Sequence, residues 1–377
     1  MGLGIAKVRL GLGIALAKSA SLASRALGNK GETLSGRILL KIQPDAIALL
    51  AANKKVILVS GTNGKTSTTK AVAEIVRQLG PVTTSGSGSN LSWGAANALM
   101  KKAPYAVLEI DELHLPTIIA QCDPAIVLLL NLTRDQLHRM HEVKRVADRW
   151  HVECAEAPNT LFIGDIDDPY INYAMAQAQN MVRVSFGGRP HPDGAVCPQC
   201  GQYLQWSRNK YSCSCGLTNK ISDRKFAAGS AAYRNATLAN VVAEALDAAP
   251  IEFSEEELER SVSKEFGAKT AHIRLTKNPA SWTEALKADH YDDVILVLNA
   301  RQVDGIDTSW LWDVSFTSLK KKRVLVCGER ALDIAYRLHV EGVKATVCES
   351  FDAALALTTE KEVSVLAAYT AFFGLVM

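Results

Sequence analysis

The most constraining feature of the sequence is an apolar segment that runs directly into a glycine-containing loop, VILVSGTNGKTSTTKAVAEIV at residues 56–76. Residues 56–59 are apolar and largely β-branched, as in a buried strand, and residues 66–79 have apolar side chains at helical spacing. Gly61 and Gly64 interrupt the pattern between them. A strand, a glycine loop and a helix in this order form a cradle for phosphate groups, because backbone N–H groups and the helix N-terminus face the anion. The segment therefore predicts a nucleotide site.

The end of this loop assigns roles to particular side chains. A Lys in the place of Lys65 reaches the terminal phosphates, and the hydroxyl of Thr66 can hold magnesium. The predicted ATP contacts in the loop are Gly61, Thr62, Asn63, Gly64, Lys65, Thr66 and Ser67. The strict pattern G-x-x-x-x-G-K-[ST] is not met, because position 59 is Val, and the shorter string GTNGKT replaces it. The alternative, a glycine turn that only starts a helix, is disfavoured by the Lys-Thr pair. GTNGKT resembles the ATP loop of the Mur ligases and folylpolyglutamate synthetases, which phosphorylate a carboxylate and then form an amide.

Composition and charge exclude several classes of protein. The chain has 377 residues, 48% of them hydrophobic and 21% charged, which is ordinary for a globular protein of two or three domains. A net charge of +3 does not indicate a nucleic-acid partner. The first 27 residues share early positive charges and an apolar stretch with signal peptides, but Lys18 interrupts that stretch. We predict an amphipathic helix packed on the body of a cytoplasmic protein, with contact to a membrane surface left open.

The rest of the chain alternates apolar strands with helical stretches. The predicted strands before the middle of the chain are 105–110, 125–131, 160–163 and 182–186, and helical segments, among them a predicted helix at 136–150, separate them. This alternation predicts a parallel sheet with helices on both faces. The string DAAPIEFSEEELERSV is typical of a linker with a capped helix start at Ser254. The strand–helix alternation then resumes, with predicted strands near 271–276, 292–299, 322–327 and 344–347. We predict an ATP-binding domain at 1–250, with an insertion at 191–222, and a smaller α/β domain at 251–377.

Four of the eight cysteines lie in the insertion, within CPQCGQYLQWSRNKYSCSCG. They are Cys197, Cys200, Cys213 and Cys215. A C-x-x-C pair at a Pro/Gly turn, followed by a second close pair, predicts a tetrahedral zinc site and a reducing compartment. The second pair is C-x-C, unlike the usual C-x-x-C. Because four thiolates leave no coordination position for a substrate, we predict a structural zinc; cysteines without a metal, or in disulfides, are the alternative.

Acidic side chains follow two of the predicted strands. YAVLEIDE places Glu109 and Asp111 at the carboxyl end of a strand, where open parallel sheets bind their ligands. Glu109 is the predicted magnesium ligand, and a solvated carboxylate is the alternative. NLTRDQLHRMHE follows the next strand and supplies Asn131, Asp135 and Gln136. Its histidines, His138 and His141, are more typical of an exposed helix than of a metal site.

A loop near the C-terminus, LNARQVDGIDTSWLWDVSF, concentrates acidic and aromatic side chains after an apolar strand. They are Asp304, Asp307, Trp310, Trp312 and Asp313. Its place at a strand end favours a functional role, and tryptophans packed over a domain boundary are the alternative.

Together these strings resemble the MurT subunit family of lipid II isoglutaminyl synthase. The resemblance extends from GTNGKT through LEIDE, NLTRDQLHR, the four cysteines, TKNPAS and DGIDTSWLWDVSF to AAYTAFFGL. It implies a Mur-ligase-type P-loop domain with a zinc-ribbon insertion and a smaller C-terminal α/β domain. It also implies a ligase of peptidoglycan synthesis that uses ATP to phosphorylate the α-carboxylate of D-glutamate in lipid II. Ammonia from a partner glutaminase, GatD, would then give D-isoglutamine at the inner face of the membrane, with no nucleic acid involved.

The resemblance also implies roles for individual residues. Lys65 and Thr66 would contact phosphates and magnesium, Glu109 would hold the second metal position, and Asn235 in GSAAYRN would contact the nucleotide. Asp313 would complete the catalytic triad of the partner glutaminase by orienting a His that activates a Cys.

The chain departs from the related families at three positions. Ala232 stands where an Asn is usual, and the string FGAK, with Ala268, stands where a Phe-Gly-Arg string is usual. Gln136 replaces a His of the amino-acid-adding Mur ligases. The first two changes would alter nucleotide contacts, and the third suggests an acceptor site reshaped for ammonia. A stand-alone Mur or folylpolyglutamate-type ligase is the main alternative, which the zinc ribbon and the Trp-rich loop disfavour. A P-loop ATPase or nucleic-acid adaptor is disfavoured by the weak charge.

Overall fold

The computed structural model describes residues 2–26, 32–85, 90–135, 143–187, 191–208, 210–254, 261–301 and 304–377. Within these residues the chain forms two compact units. The first contains the residues up to Leu132 and those from 143 to 254, and the second contains residues 133–135 and those from 261 onward. The sequence did not anticipate that residues 133–135 would group with the second unit, and the domain limits at residue 250 stay a prediction.

The first unit is built on a parallel sheet. Its strands, with the hairpin of the insertion, are β1 (Lys55–Ser60), β2 (Val82–Thr84), β3 (Tyr105–Glu109), β4 (Ile126–Leu129), β5 (Leu161–Asp165), β6 (Asn180–Ser185), β7 (Gln205–Ser207), β8 (Lys210–Ser212) and β9 (Arg224–Lys225). The described strands of the main sheet run in the order β2-β3-β1-β4-β5-β6-β9, and all their pairings are parallel, whereas β7 and β8 form a separate antiparallel pair.

Helices cover both faces of this sheet. They are α1 (Gly2–Ala26), α2 (Glu32–Ile42), α3 (Ala46–Ala51), α4 (Lys65–Arg77), α5 (Ser92–Leu99), α6 (Leu115–Cys122), α7 (Val143–Glu156), α8 (Pro169–Met175) and α9 (Ala231–Ala245). Ile57 and Val59 of the central strand share a buried cluster with Val72 of α4 and Val242 of α9. Leu58 is also fully buried, and it faces the other way because side chains alternate along a strand. No described helix has the length and hydropathy needed to cross a membrane.

The second unit contains a smaller mixed sheet. Its strands are β10 (Ser261–Phe266), β11 (Lys269–Leu275), β12 (Asp293–Val297), β13 (Arg323–Cys327), β14 (Ala345–Val347) and β15 (Glu362–Ala367), and its helices are α10 (Pro279–Ala288), α11 (Ala331–Val340), α12 (Phe351–Ala356) and α13 (Tyr369–Val376). The strand order is β10-β11-β15-β12-β13-β14, with β10 antiparallel to β11 and the other pairs parallel. The predicted fold class, a parallel α/β domain with an inserted cysteine ribbon and a smaller α/β domain, is confirmed.

Some predicted elements differ from the structure or fall outside it. The strands that were not predicted are β2, β7, β8, β9, β10 and β15. The helix predicted at 136–150 is described only from Val143, where α7 begins and continues to Glu156. Gln136, His138, His141 and the helix expected after Ser254 lie outside the described residues.

Candidate functional site

Two glycines of the loop between β1 and α4 are required by close contacts. Gly61 has a φ of +142°, and a Cβ there would lie 2.9 Å from the backbone of Asn131. Gly64 has a φ of +84°, and a Cβ there would lie 2.2 Å from the side-chain nitrogen of Asn235. The loop therefore packs between Asn131, two residues beyond β4, and helix α9, and neither glycine position accepts a side chain. The structure thus places Asn235 against the loop, and its contact with the nucleotide stays a prediction.

Asn131 fixes the conformation of the loop. Its backbone oxygen accepts a hydrogen bond from Thr62 N (2.8 Å). Its side chain accepts one from Asn63 N (2.9 Å) and donates one to Asn63 O (3.0 Å). In α4, Thr68 N donates to Gly64 O (3.0 Å), so the positive end of the helix dipole lies at the loop. A fixed loop before a helix N-terminus is suited to binding phosphate groups.

Lys65 forms a buried ion pair. Its Nζ donates to Glu112 Oε2 (2.9 Å) and to Gly61 O (2.5 Å), and the side chains of Lys65 and Glu112 are only 9% and 2% exposed. Burial lowers the pKa of Lys65, but the Glu112 carboxylate, helped by Asp111 and Glu109, raises it above its usual value. Lys65 is therefore charged. Glu112 was not among the predicted site residues, although it is the last residue of the string LEIDE that contains Glu109.

Thr66 and Glu109, the predicted magnesium ligands, line one open cavity of about 470 Å³. Glu109 is the last residue of β3, and its N–H donates to Ser85 Oγ (3.0 Å). Asp111 lies just beyond, where its Oδ1 accepts a hydrogen bond from Leu113 N (3.1 Å). A carboxylate and a hydroxyl are the oxygen ligands that magnesium prefers, so this donor pair fits the ion.

A second group of acids, absent from the sequence predictions, lies at the end of β5. Asp165 forms an ion pair with Arg234, the neighbour of Asn235 in α9. Burial raises the pKa of Asp165 to about 6, although the charge of Arg234 opposes this. Asp168 accepts a hydrogen bond from Leu132 N (2.7 Å) and caps α8. Asp165 thus ties α9, and with it Asn235, to the carboxyl edge of the sheet, while Asp168 ties the segment after β4 to the start of α8.

The four predicted zinc ligands converge. All four sulfur atoms lie within 4.8 Å of one another, with 3.6 Å between Cys197 and Cys215 and 3.3 Å between Cys200 and Cys213. Burial raises the pKa of the Cys197 thiol to about 12, whereas the backbone N–H of Cys215 lowers that of Cys213 to about 6. The C-x-C pair therefore does not prevent convergence. Four thiols at these distances fit a closed tetrahedral site for zinc, because a divalent cation would offset the repulsion between thiolates.

The cysteine ribbon packs against the acidic segment after β5. Tyr211 of β8 is fully buried, and its hydroxyl donates to Ile166 O (3.0 Å) and accepts from Asn172 Nδ2 (2.8 Å). Asn219 Nδ2 donates to Asp167 Oδ1 (2.9 Å). The ribbon thus supports the segment whose Asp165 holds Arg234.

In the second unit, the acids of the Trp-rich loop have different surroundings. Asp304 is buried, and its carboxylate accepts hydrogen bonds from Thr370 N and Thr370 Oγ1 (both 2.7 Å), which holds the start of α13. Asp313 ends a 3₁₀ helix, is partly exposed, and forms an ion pair with Arg134 (3.0 Å). Trp312 is 55% exposed. Asp304 therefore serves the fold, while Asp313 and Trp312 reach the surface.

Three other residues that the sequence singled out, Asp307, Trp310 and Asp135, also have partners inside the second unit. Asp307 Oδ1 accepts a hydrogen bond from Ser309 N (2.8 Å). The ring of Trp310 lies 6.1 Å from that of Trp282 in α10, centroid to centroid. Asp135 pairs with Lys277 (2.8 Å). Arg134 and Lys277 were not predicted as ion-pair partners, because each is distant in the sequence from the acid that it pairs with.

Comparison with known proteins places these sites in a family context. The family model of the Mur ligase middle domain matches residues 59–193, and that of the MurT ligase C-terminal domain matches residues 275–372. The lipid II isoglutaminyl synthase (glutamine-hydrolyzing) subunit MurT of Streptococcus pneumoniae is 28% identical, over 96% of this chain and 94% of its own. The subunit of the same name from Staphylococcus aureus strain N315 is 26% identical, over 89% of this chain and 88% of its own.

Solved structures share the fold at lower sequence identity. A pseudomurein peptide ligase type C from Methanothermus fervidus has a TM-score of 0.62 at 16% identity and covers 84% of this chain and 76% of its own. The MurF ligase from Thermotoga maritima, solved in complex with ADP, has a TM-score of 0.61 at 14% identity and covers 90% of this chain and 81% of its own. Both similarities extend over most of the chain, so the fold is that of the Mur ligases.

Proposed function

Because this chain belongs to the MurT family of the Mur ligase superfamily, we propose that it is the ATP-dependent synthetase subunit of a lipid II isoglutaminyl synthase. The observation that carries the proposal is the occurrence, in one chain, of a fixed glycine loop at the N-terminus of α4, suited to phosphate groups, and a Trp-rich loop in which Trp312 and Asp313 reach the surface. The curated relatives that match over nearly the whole chain have the subunit's name, which supports this combination. The alternative function, addition of an amino acid by a stand-alone ligase, makes no use of Asp313.

The proposed reaction transfers the terminal phosphoryl group of ATP to the α-carboxylate of D-glutamate in the lipid II stem peptide. The carboxylate oxygen forms a bond to phosphorus, and ADP leaves. Ammonia then attacks the carbonyl carbon of the acyl phosphate, phosphate leaves with the C–O electron pair, and an amide remains once a proton is lost. The product is D-isoglutamine in the stem peptide.

The loop residues have a defined part in this reaction. Lys65 would neutralise charge on the transferring phosphoryl group, and the N-terminus of α4 would bind phosphate oxygens. Asn235 lies against Gly64, where it would contact the nucleotide. Magnesium, when bound, supplies charge neutralisation between phosphate oxygens, and Thr66 and Glu109 would hold it. The Thermotoga maritima MurF ligase, which has the same fold, binds ADP, and this agrees with a nucleotide at the loop.

The proposed source of ammonia is a separate glutaminase of the GatD type that forms a heterodimer with this chain. Asp313 and Trp312 are accessible at the surface of the second unit. We assign the Asp313 carboxylate to a triad completed in the partner, where it would orient a His that activates a Cys. Both ATP and the lipid-linked substrate are available at the cytoplasmic face of the membrane, which is therefore the proposed location.

Reconstitution with a GatD-type glutaminase tests this function. The expected result is amidation of lipid II that requires ATP, glutamine and both proteins, detected by mass spectrometry of the released muropeptide. Addition of an amino acid by this chain alone, with no amidation in the complex, would instead identify a stand-alone ligase.

A further inference from the structure

Helix α1 has apolar residues on two opposite faces. Gly13 and Ala17 are buried, and a Cβ at Gly13 would lie 3.0 Å from the Leu39 side chain, so this face packs on α2 within the first unit. The outward apolar side chains and their exposed fractions are Val8 at 64%, Leu12 at 59%, Leu16 at 56% and Leu22 at 67%. A surface helix that packs only on its own domain has polar residues on its outer face. The outer face of α1 therefore has the composition of a surface that contacts a second apolar phase.

Basic residues border this outer face on both sides. At about 3.6 residues per turn, Val8, Leu12 and Leu16 lie on one side of the helix, with Arg9 at one edge and Lys18 at the other. Both basic side chains are exposed. The sequence of α1 contains no Asp or Glu, and its basic residues are Lys7, Arg9, Lys18 and Arg25. Lysine and arginine at the borders of an apolar stripe can extend their charged ends to lipid headgroups while their stems stay in the apolar layer.

We propose that the outer face of α1, Val8, Leu12, Leu16 and Leu22 with the flanking Arg9 and Lys18, binds the surface of an anionic lipid bilayer. The helix would lie in the plane of the interface, with its leucines among the acyl chains and its cations at the phosphates. The charged residues of α1 are all basic, so the cations at both edges of the apolar face would be attracted to anionic headgroups. The choice of this occupant also rests on the proposed function, because lipid II is anchored in a membrane.

Another exposed apolar face in the chain has a different charge pattern. Helix α11 exposes Leu332, Tyr336 and Val340, at 73%, 62% and 53%. Acidic and basic residues both accompany it, and Asp333 pairs with Arg330 while Arg337 pairs with Glu341. Mixed charges of this kind do not favour an anionic bilayer. This face therefore provides a matched control of similar hydrophobicity on a helix.

Vesicle co-sedimentation of the full-length chain tests the proposal. The vesicles contain phosphatidylglycerol and phosphatidylcholine in equal parts, or phosphatidylcholine alone, and neither contains lipid II. Wild type should bind the anionic vesicles, and added salt should weaken this binding. Leu12→Gln/Leu16→Gln should lower the partition coefficient at least about tenfold, because two apolar side chains no longer insert. Arg9→Gln/Lys18→Gln should lower it about thirtyfold on anionic vesicles and much less on neutral ones. The control Leu332→Gln/Val340→Gln should bind like wild type.

Three results would overturn the proposal. They are absence of binding by wild type, unchanged binding by a Leu12→Gln/Leu16→Gln variant whose circular dichroism is native, and equal loss in the α11 control. Sedimentation velocity gives a further check. If wild type is a dimer, and the leucine variant is a monomer that still binds vesicles normally, this face binds a second copy of the chain and not a membrane. Amidation of a water-soluble muropeptide tests the proposed function separately, and the α1 variants should retain it.

Discussion

At the scale of single residues, the pair Lys65–Glu112 connects stability with the proposed chemistry. Both side chains are almost completely buried, and Lys65 is within hydrogen-bond distance of the Glu112 carboxylate and Gly61 O. The same Lys65 would contact the terminal phosphates of ATP. Removing one member of a buried ion pair leaves an uncompensated charge, which costs about 3–5 kcal/mol. A variant at Lys65 therefore changes both stability and catalysis, and the two effects must be separated.

We expect Lys65→Met to abolish ATP-dependent amidation and to lower the free energy of unfolding by about 3 kcal/mol, because Glu112 would stay buried without its cation. The double variant Lys65→Met/Glu112→Gln should recover most of the stability, since no isolated buried charge remains, but none of the amidation. Urea unfolding and the amidation rate measure the two effects on each variant.

The amidation rate and the unfolding free energy can each contradict a different part of the assignment of Lys65. Normal amidation by a folded Lys65→Met variant would exclude this loop as the ATP site. A double variant that is no more stable than the single one would show that Glu112 is not the group that stabilises Lys65.

At the scale of elements, the cysteine ribbon and the segment after β5 depend on each other. Tyr211 of the ribbon donates a hydrogen bond to Ile166 O, and Asn219 donates one to Asp167. The neighbouring Asp165 holds Arg234 at the start of α9, next to Asn235. A closed metal site in the ribbon would therefore support the predicted nucleotide contact through these packed elements.

We expect about one zinc ion per chain, because four thiolates form a closed tetrahedral site. Cys200→Ser/Cys213→Ser should lose the metal, increase hydrogen exchange in residues 165–172 and weaken ATP binding. Cys348→Ser, a cysteine outside the cluster, is the control and should retain the zinc. Elemental analysis, exchange mass spectrometry and nucleotide titration measure these effects. Purified protein without metal, in which all four thiols titrate freely, would contradict the zinc site.

The sequence predicts those elements whose signal is local. Strand β1, its loop and α4 were predicted because an apolar run, two glycines and a helical period follow one another directly. Strand β15 was missed, although it lies between β11 and β12, because its apolar run continues into the apolar helix α13 and has no strand period of its own. β10, an edge strand, was missed because Val262 and Phe266 are its apolar residues among six, so it has neither an apolar run nor a strict alternation.

Partners that are distant in the sequence were beyond such reasoning. The cysteines were assigned correctly to one cluster because ligand spacing is a local signal. The pairs Lys65–Glu112 and Arg134–Asp313 join strings that had each been noticed, but no feature of either string identifies its partner. Such contacts are set by tertiary packing, and only the folded chain shows them.

At the scale of the whole molecule, the proposed function divides the reaction between two proteins, and Asp313 belongs to the surface that would connect them. Within this chain Asp313 pairs with Arg134, which follows the end of the first unit's β4 in the sequence. The ion pair is about one-third exposed on each side, so it contributes little to stability. Arg134 can therefore orient the Asp313 carboxylate toward a partner, and loss of this ion pair should change the stability of the fold only slightly.

We expect Asp313→Asn to remove glutamine-dependent amidation by the complex and to preserve amidation driven by free ammonium at high concentration. A neutral amide would hold the partner's His ring in the wrong tautomer. The same change in a serine protease triad lowers kcat on the order of 10⁴-fold. The synthetase reaction should continue with ammonium, because the Lys65 loop is unchanged. Asp307→Asn, in the same loop, is the control and should retain both rates. The measurement is a pair of rates for each complex, one with glutamine and one with ammonium. If Asp313→Asn lowers both rates equally, the residue serves the synthetase or the fold, and the triad shared between subunits must be abandoned.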